Sequence, residues 1–203
     1  MFGFGSKKKK EAQTEKTEGK AITDMRFHEM TIAGCKRQLP LCAINDKLDI
    51  AAFLMFGDVE ITIAAAKELL EKSPEFDIIL TPEAKSIPLA YEMARQSGKK
   101  YFVARKGMKL YMTEPLEVVV KSITTANVQH LFLSSEEAAQ MKDKKVLIVD
   151  DVISTGESLK AVEALIEKAG GIVAAKTAVL AEGDAADRTD IVFLEKLPLF
   201  FKD

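Results

Sequence analysis

Asp150 and Asp151 stand side by side, with Ser154, Thr155, Gly156 and Ser158 close behind. The acids follow Val146-Leu147-Ile148-Val149, an unbroken run of β-formers that suits a parallel strand buried on both faces. After the hydroxyl-rich turn the pattern becomes helical: Leu159, Val162, Ile166 and Ala169 share a face with Leu165 beside them. Gly170-Gly171 stops that helix. A strand, a turn and a helix in this order aim the first free N–H groups of the helix at the turn, where they favour an anion. Gly156 lets the backbone approach that anion, and three hydroxyls can donate to it. Two carboxylates would repel a phosphate but suit a neighbouring polyol or a cation. A ribose 5-phosphate carries both features. The stretch is neither a Walker loop, lacking Gly-Lys-Ser/Thr, nor a dinucleotide loop, lacking Gly-x-Gly-x-x-Gly.

The elements that must position these residues follow from periodicity and punctuation. Met25 to Ile32 alternates loosely and predicts an edge strand, and 34–49, with Pro40, Asn45 and Asp46, reads as irregular. Gly57-Asp58 caps a helix with a stripe of Val59, Ile63, Ala66 and Leu70, ending near Lys72. Phe76 to Leu80 reads as a buried strand. A helix with Ile87, Ala90, Tyr91 and Ala94 inward then runs to Ser97-Gly98, and Tyr101 to Ala104 is another strand. Strands are predicted at Glu117–Ile123, Val128–Leu133, Ile172–Leu180 and Ile191–Leu194, with a capped turn at 134–137. Strands alternating with helices imply an α/β fold, a Rossmann-like parallel sheet with helices on both faces. Ligands of such sheets bind beyond the carboxyl ends of the strands. Three polar loops leave those ends, at 81–86, 105–109 and 150–158, and they should converge.

Composition sets the bounds. The chain has 203 residues, 47% hydrophobic and 30% charged, enough for one domain with a real core. A net charge of −2 supplies no basic field for nucleic acid. No apolar run is long enough to span a membrane. Cys35 and Cys42 are the only cysteines and form no metal-ligand pattern with His28 and His130, so a reducing, cytoplasmic setting is expected. Residues 1–20 carry the Lys7–Lys10 run without periodicity and read as a disordered basic tail.

Residues 146–158 resemble the phosphoribosyl pyrophosphate (PRPP) motif of the type I phosphoribosyltransferases: apolar residues, two acids, two apolar residues, then a small hydroxyl-Gly-x-hydroxyl turn. The resemblance covers roughly 50–195 and implies the type I fold, with 21–203 as the domain and a small hood subdomain at about 25–50 and 107–133. It implies roles as well. Asp150 and Asp151 hold the ribose hydroxyls and, through ribose or water, a Mg2+ ion. Val152, Ile153, Ser154, Thr155, Gly156, Glu157 and Ser158 hold the 5′-phosphate. Glu83, Ala84, Lys85, Arg105, Lys106 and Lys109 sit where relatives hold pyrophosphate. Purine salvage members often carry Glu-Ala followed by Arg-Gly or Ser-Gly, against Lys85-Ser86 here.

The family resemblance implies an enzyme that joins a purine to PRPP, with PRPP and a purine base as partners and a homodimer as the assembly. For the base, the central and basic loops resemble adenine phosphoribosyltransferases, though Arg37-Gln38-Leu39-Pro40 only partly echoes their early motif. The Lys121–Thr124 hood and Leu41-Cys42-Ala43-Ile44-Asn45 resemble xanthine phosphoribosyltransferase, where an asparagine at the Asn45 position reads the base. Adenine is the first expectation and xanthine or another oxopurine the second. The missing hood glutamate and Lys85 also admit a PRPP-sensing regulator without catalysis. Such regulators usually add a DNA-binding domain, and the roughly 50 residues before the core show no helix-turn-helix pattern.

Overall fold

The structure, a computed structural model, describes residues 26–121 and 128–202. Phe27–Ile32 (β1) and Cys35–Asn45 (β2) pair antiparallel. Ala33 and Gly34 join them at φ 47° and 77°, the left-handed backbone that a tight hairpin turn demands. Leu48–Ala51 (β3) pairs with the far half of β2. The stretch read as irregular is therefore mostly strand. Its alternation is hidden because one face carries Lys36 and Gln38 opposite a mixed face of Cys35, Arg37 and Leu39. Pro40 is tolerated because it sits where β2 passes from pairing with β1 to pairing with β3.

Val59–Lys72 (α1) starts on Asp58, whose carboxylate accepts from the Ile61 N–H at 3.2 Å. Ile78–Pro82 (β4), Ile87–Ser97 (α2) and Lys100–Ala104 (β5) follow, with Gly98 ending α2 at φ 68°. The buried faces of the two helices match the predicted ones only in part, at Ala66, Ala90 and Ala94. Ile61, Ala65, Ala66 and Leu69 turn inward on α1, and Leu89, Ala90, Met93 and Ala94 on α2, while Val59, Ile63 and Tyr91 are exposed. Apolar residues surround more than half of each helix, so spacing alone does not choose the face.

Leu116–Lys121 (β6) and Val128–Leu133 (β7) form an antiparallel hairpin. Its expected tip, 122–127, lies outside the described residues, as do the predicted tail at 1–20 and the Lys121–Thr124 hood beyond Lys121. Ser135–Met141 (α3) starts on a capping box of Ser134 and Glu137, a short helix where a turn was predicted. Lys145–Ile153 (β8), Glu157–Lys168 (α4), Ile172–Glu182 (β9), Val192–Leu197 (β10) and Leu199–Phe201 (β11) complete the described elements, with a 3-10 turn at 183–187.

The central layer is a parallel sheet ordered β10-β9-β8-β4-β5. Residues alternate between its faces: Ile79, Leu147, Val149 and Val179 join the core under α1 and α2, and Ile78, Leu80, Val146, Ile148 and Ala178 the core under α4. The β6–β7 hairpin is tied into the α4 side by fully buried Leu133 and nearly buried Leu131, and the Arg105–Phe132 bridge joins it to the end of β5. The second sheet, β1-β2-β3-β11, stands next to the carboxyl edge of the parallel one because Pro198 alone separates β10 from β11. The chain leaves β4 toward β5 but later returns to β8 on β4's other side. The β4 and β8 loops therefore diverge to opposite faces and open a crevice between them, the usual ligand position in such sheets.

Candidate active site

The acid pair lies inside β8, not after it. The strand runs four residues beyond the predicted Val149 end, and Asp150 pairs with Ala178 and Val152 with Leu180 on β9. The ladder to β9 holds those four residues extended, while the β4 ladder stops at Ile148. The acids are thus fixed by rigid backbone at the point where β4 turns away. Asp151 is 4% exposed and Asp150 half-buried. Asp150 Oδ1 accepts from the Asp151 N–H at 2.9 Å. Burial first, and the charge of Asp151 second, push the Asp150 carboxyl up to about 7.

The turn after β8 is built to stay open. Gly156 takes φ 77°, a left-handed conformation that turns the chain into α4, and no side chain caps that helix. Ser154, Thr155 and Ser158 are exposed, and their hydroxyls make no hydrogen bond among the described residues. Leu159, Val162, Leu165 and Ile166 anchor α4 beneath the turn, each contributing roughly 1.5–3 kcal/mol by burial. Asp150 and residues 152–159 enclose a cavity of about 110 Å³ at this helix start.

The β4 loop approaches from the other side. Its Glu83–Ala84 peptide is cis. The Glu83 N–H donates to the Ala104 carbonyl at 2.9 Å, and its carboxylate accepts from the Lys106 N–H at 2.9 Å. Arg105 Nη1 and Lys109 Nζ each lie 3.8 Å from Glu83 Oε1. Lys85 Nζ reaches 3.3 Å from Asp151 Oδ2. Glu83 and Lys85 thereby bridge the β4 loop to the other two, and the three predicted loops meet. Pro82, Glu83, Ala84, Lys85, Ser86, Lys106, Asp150, Asp151, Val152 and Ser158 line a second cavity of about 320 Å³.

Ser86 is a lining residue that sequence reasoning left out of the candidate set. It is 1% exposed, accepts from Thr81 at 2.7 Å and donates to the Pro82 carbonyl at 3.3 Å. It lay inside the predicted 81–86 loop, and its place as the residue before α2 was the signal that could have singled it out. Asn45 is not brought to this cluster: it is exposed at the β2–β3 turn, and its side chain accepts from the Lys47 N–H at 2.8 Å. Arg105 lines a separate cavity of about 260 Å³ with Tyr111, Thr113 and Ser134–Glu137.

Chemically, one cavity offers amides and hydroxyls to an anion, and its neighbour offers carboxylates to hydroxyls or a cation beside lysines for a second anion. Among the described residues no cluster of three or more His, Cys, Asp or Glu side chains is placed to hold a metal ion. Two carboxylates, one of them beside a lysine, fit a cation that brings most of its own oxygen ligands with a polyphosphate.

The phosphoribosyl transferase domain model matches residues 58–196, a span that takes in all three loops. Adenine phosphoribosyltransferase of Kosmotoga olearia is 36% identical over 118 residues, 58% of this chain and 65% of its own length. The Bifidobacterium longum (strain DJO10A) enzyme of that name is 39% identical over 120 residues, 57% of this chain and 58% of its own. The chain thus spans less than two thirds of the length of these curated relatives. Among solved structures, adenine phosphoribosyltransferase from Thermoanaerobacter pseudethanolicus superposes with a TM-score of 0.58 at 23% identity, covering 84% of this chain and 95% of that one. The Saccharomyces cerevisiae enzyme, complexed with an imino-altritol bisphosphate and adenine, gives 0.59 at 20% identity, covering 83% and 93%. At these identities the structures establish a shared fold.

Proposed function

The chain belongs to the phosphoribosyl transferase domain family, and from that premise we propose that it transfers the 5-phosphoribosyl group of PRPP to adenine. The products are AMP and pyrophosphate, as purine salvage requires. The carrying observation is that Asp150, Val152 and Ser158 border both cavities at once. A single molecule with a phosphate at one end and a ribose in the middle spans that pair, and its pyrophosphate end falls toward Lys85 and Lys106. Adenine is preferred over an oxopurine because the curated relatives are adenine phosphoribosyltransferases.

In the reaction the bond from ribose C1 to pyrophosphate breaks, a bond from C1 to a purine nitrogen forms, and that nitrogen's proton goes to solvent. The transition state places positive charge on the sugar, as in glycoside hydrolysis. Asp150 and Asp151 hold the ribose hydroxyls and put negative charge beside that centre. The α4 amides and the hydroxyls of Ser154, Thr155 and Ser158 fix the 5′-phosphate, so C1 is presented in one orientation. The side chains of Lys85, Arg105, Lys106 and Lys109, with the backbone of Ala84 beside Glu83, hold the departing pyrophosphate. Asp150 and Asp151 would hold, through ribose or water, a Mg2+ ion brought in with PRPP, and that ion would supply neutralisation of the pyrophosphate charge.

A homodimer is part of the proposal. It is supported by an apolar groove of about 410 Å³ between α1 and α2, lined by Met55, Val59, Ile63, Ile87, Tyr91 and Tyr101. A cytoplasmic site of action is supported by the free thiols Cys35 and Cys42, and no described helix is long and apolar enough to cross a membrane.

The test is incubation with PRPP, Mg2+ and separate purines. Adenine alone yielding a nucleotide is the expected result. Product from xanthine or another oxopurine instead moves the assignment to that base. PRPP binding with no product from any base makes the protein a sensor. Sedimentation of the same preparation checks the dimer.

A further inference from the structure

The small cavity at the start of α4 is lined by Asp150, Glu157, hydroxyls and apolar residues, and none of its lining side chains is cationic. A 5′-phosphate there would meet backbone amides but also two nearby acids. A cation lies just behind the wall. A Cβ built on Gly156 would stand 2.5 Å from Arg188 Nη1, so the guanidinium presses against the turn at the position where the side chain is missing. Gly156 therefore answers two demands, a left-handed φ and room for Arg188.

Arg188 is held in that place. Its Nε and Nη2 donate to the two oxygens of Asp190 at 2.9 and 2.8 Å, a planar fork that leaves Nη1 as the nitrogen against Gly156. Asp190 also accepts from Lys176 Nζ at 2.6 Å, and Lys176 pairs with Glu163 of α4 at 2.8 Å. The ammonium is well shielded, its side chain only 16% exposed. The chain of contacts thus begins on α4, crosses β9 and the loop before β10, and returns to Gly156, the residue just before α4.

We propose that Arg188 is a positioning residue for the 5′-phosphate: through Gly156 it braces the turn, and it places a fixed positive charge behind the anion cavity. The proposal rests on the phosphoribosyl reading of that cavity. It assigns the loop before β10, which contributes no residue to either cavity, to recognition of the sugar phosphate and not of pyrophosphate or base.

The experiment measures Kd for ribose 5-phosphate and for pyrophosphate, KM for PRPP, and kcat, in wild type, Arg188→Ala, Arg188→Lys and Asp190→Asn. Arg188→Ala should raise Kd for ribose 5-phosphate and KM for PRPP about tenfold, with kcat and the pyrophosphate Kd changed less than about threefold. Arg188→Lys keeps the charge without the fork and should recover part of the loss. Asp190→Asn, which loosens the fork, should fall between wild type and Arg188→Ala. Arg188→Ala binding ribose 5-phosphate like wild type overturns the proposal, as does an equal loss for pyrophosphate. Should Arg188→Ala fail to fold, the decision passes to Arg188→Lys and Asp190→Asn: wild-type binding by both overturns it. If wild type itself binds no ribose 5-phosphate, the reading of the whole site falls, a result distinct from an indifferent Arg188.

Discussion

Three carboxylates are buried among the described residues, and two are treated differently from the third. Asp49, in the β1-β2-β3-β11 sheet, meets both Arg26 and Lys202, the latter at 2.9 Å. Its carboxyl is held below the usual range, by the Lys202 hydrogen bond above all. Glu92 on α2 is gripped by the Arg95 fork at 2.8 and 2.6 Å and by Gln96 at 2.8 Å, and it too is lowered, chiefly by Arg95. Asp151 has one half-exposed lysine at 3.3 Å and a second carboxyl next to it. Helix starts divide the same way. α1 and α3 begin on side-chain caps, whereas α2 and α4, which begin at the cavities, have none. Where acids serve the fold they are neutralised by cations held close from within the molecule. At the carboxyl edge of the parallel sheet, acids lack full neutralisation and amides lack caps, and both deficits are ones a sugar phosphate with a cation would fill.

The contrast is broken most severely through Asp151. Asp151→Asn removes charge from the oxocarbenium side of the reaction, and kcat should fall on the order of a hundredfold or more. The melting temperature should move little or rise, because the lost charge was incompletely paired. A fall in stability matching the fall in activity would make Asp151 a structural acid like Asp49. The reciprocal change is Asp49→Asn. It leaves Arg26 and Lys202 without their buried partner and should lower the melting temperature by about 10 °C at pH 7. Since the Asp49 carboxyl is lowered in the fold, its stabilisation is present above the ordinary carboxyl pKa and lost as pH falls through the folded value. The deficit should close below about pH 4, and kcat and KM should stay at wild-type values throughout. Thermal melts across pH, with kinetics at neutral pH, check both halves.

Much of this contrast was legible in the sequence because it is local. Val146 to Gly171 encodes strand, acids, turn and helix in one unbroken stretch, and the helix lies where its spacing placed it. The end of β8 was misplaced because charged residues rarely continue a buried strand, yet here pairing with β9 carries both acids. Other parts depend on distant partners. β2 is a strand because β1 and β3 flank it, and β11 exists because β3 offers an edge to Leu199–Phe201. Val59, Ile63 and Tyr91 look like core residues from spacing, but the surface groove takes them. Arg188 reaches Gly156 only through the folded β9–β10 connection, so no local pattern marks it.

The finest test of the comparison is the sign of a pH dependence. Asp150 is raised to about 7 by burial and by the charge of Asp151, the opposite of Asp49. A carboxyl raised in the fold adds stability below its unfolded pKa and loses that contribution as pH climbs through the folded value. Wild type should therefore become less stable between about pH 4 and pH 7 on account of this group. Asp150→Asn carries no ionisable proton there, so its melting temperature should exceed that of wild type by about 5 °C at pH 8. The gap should narrow steadily and vanish below about pH 4, where Asp150 is protonated in both states. Turnover should fall above about pH 7 despite the gain in stability, since there the amide does not replace the charge near the ribose. A site kept at the expense of stability behaves this way, and an acid serving the fold does not. Should Asp150→Asn prove less stable than wild type at pH 8, the acid pair would belong with Asp49 and Glu92.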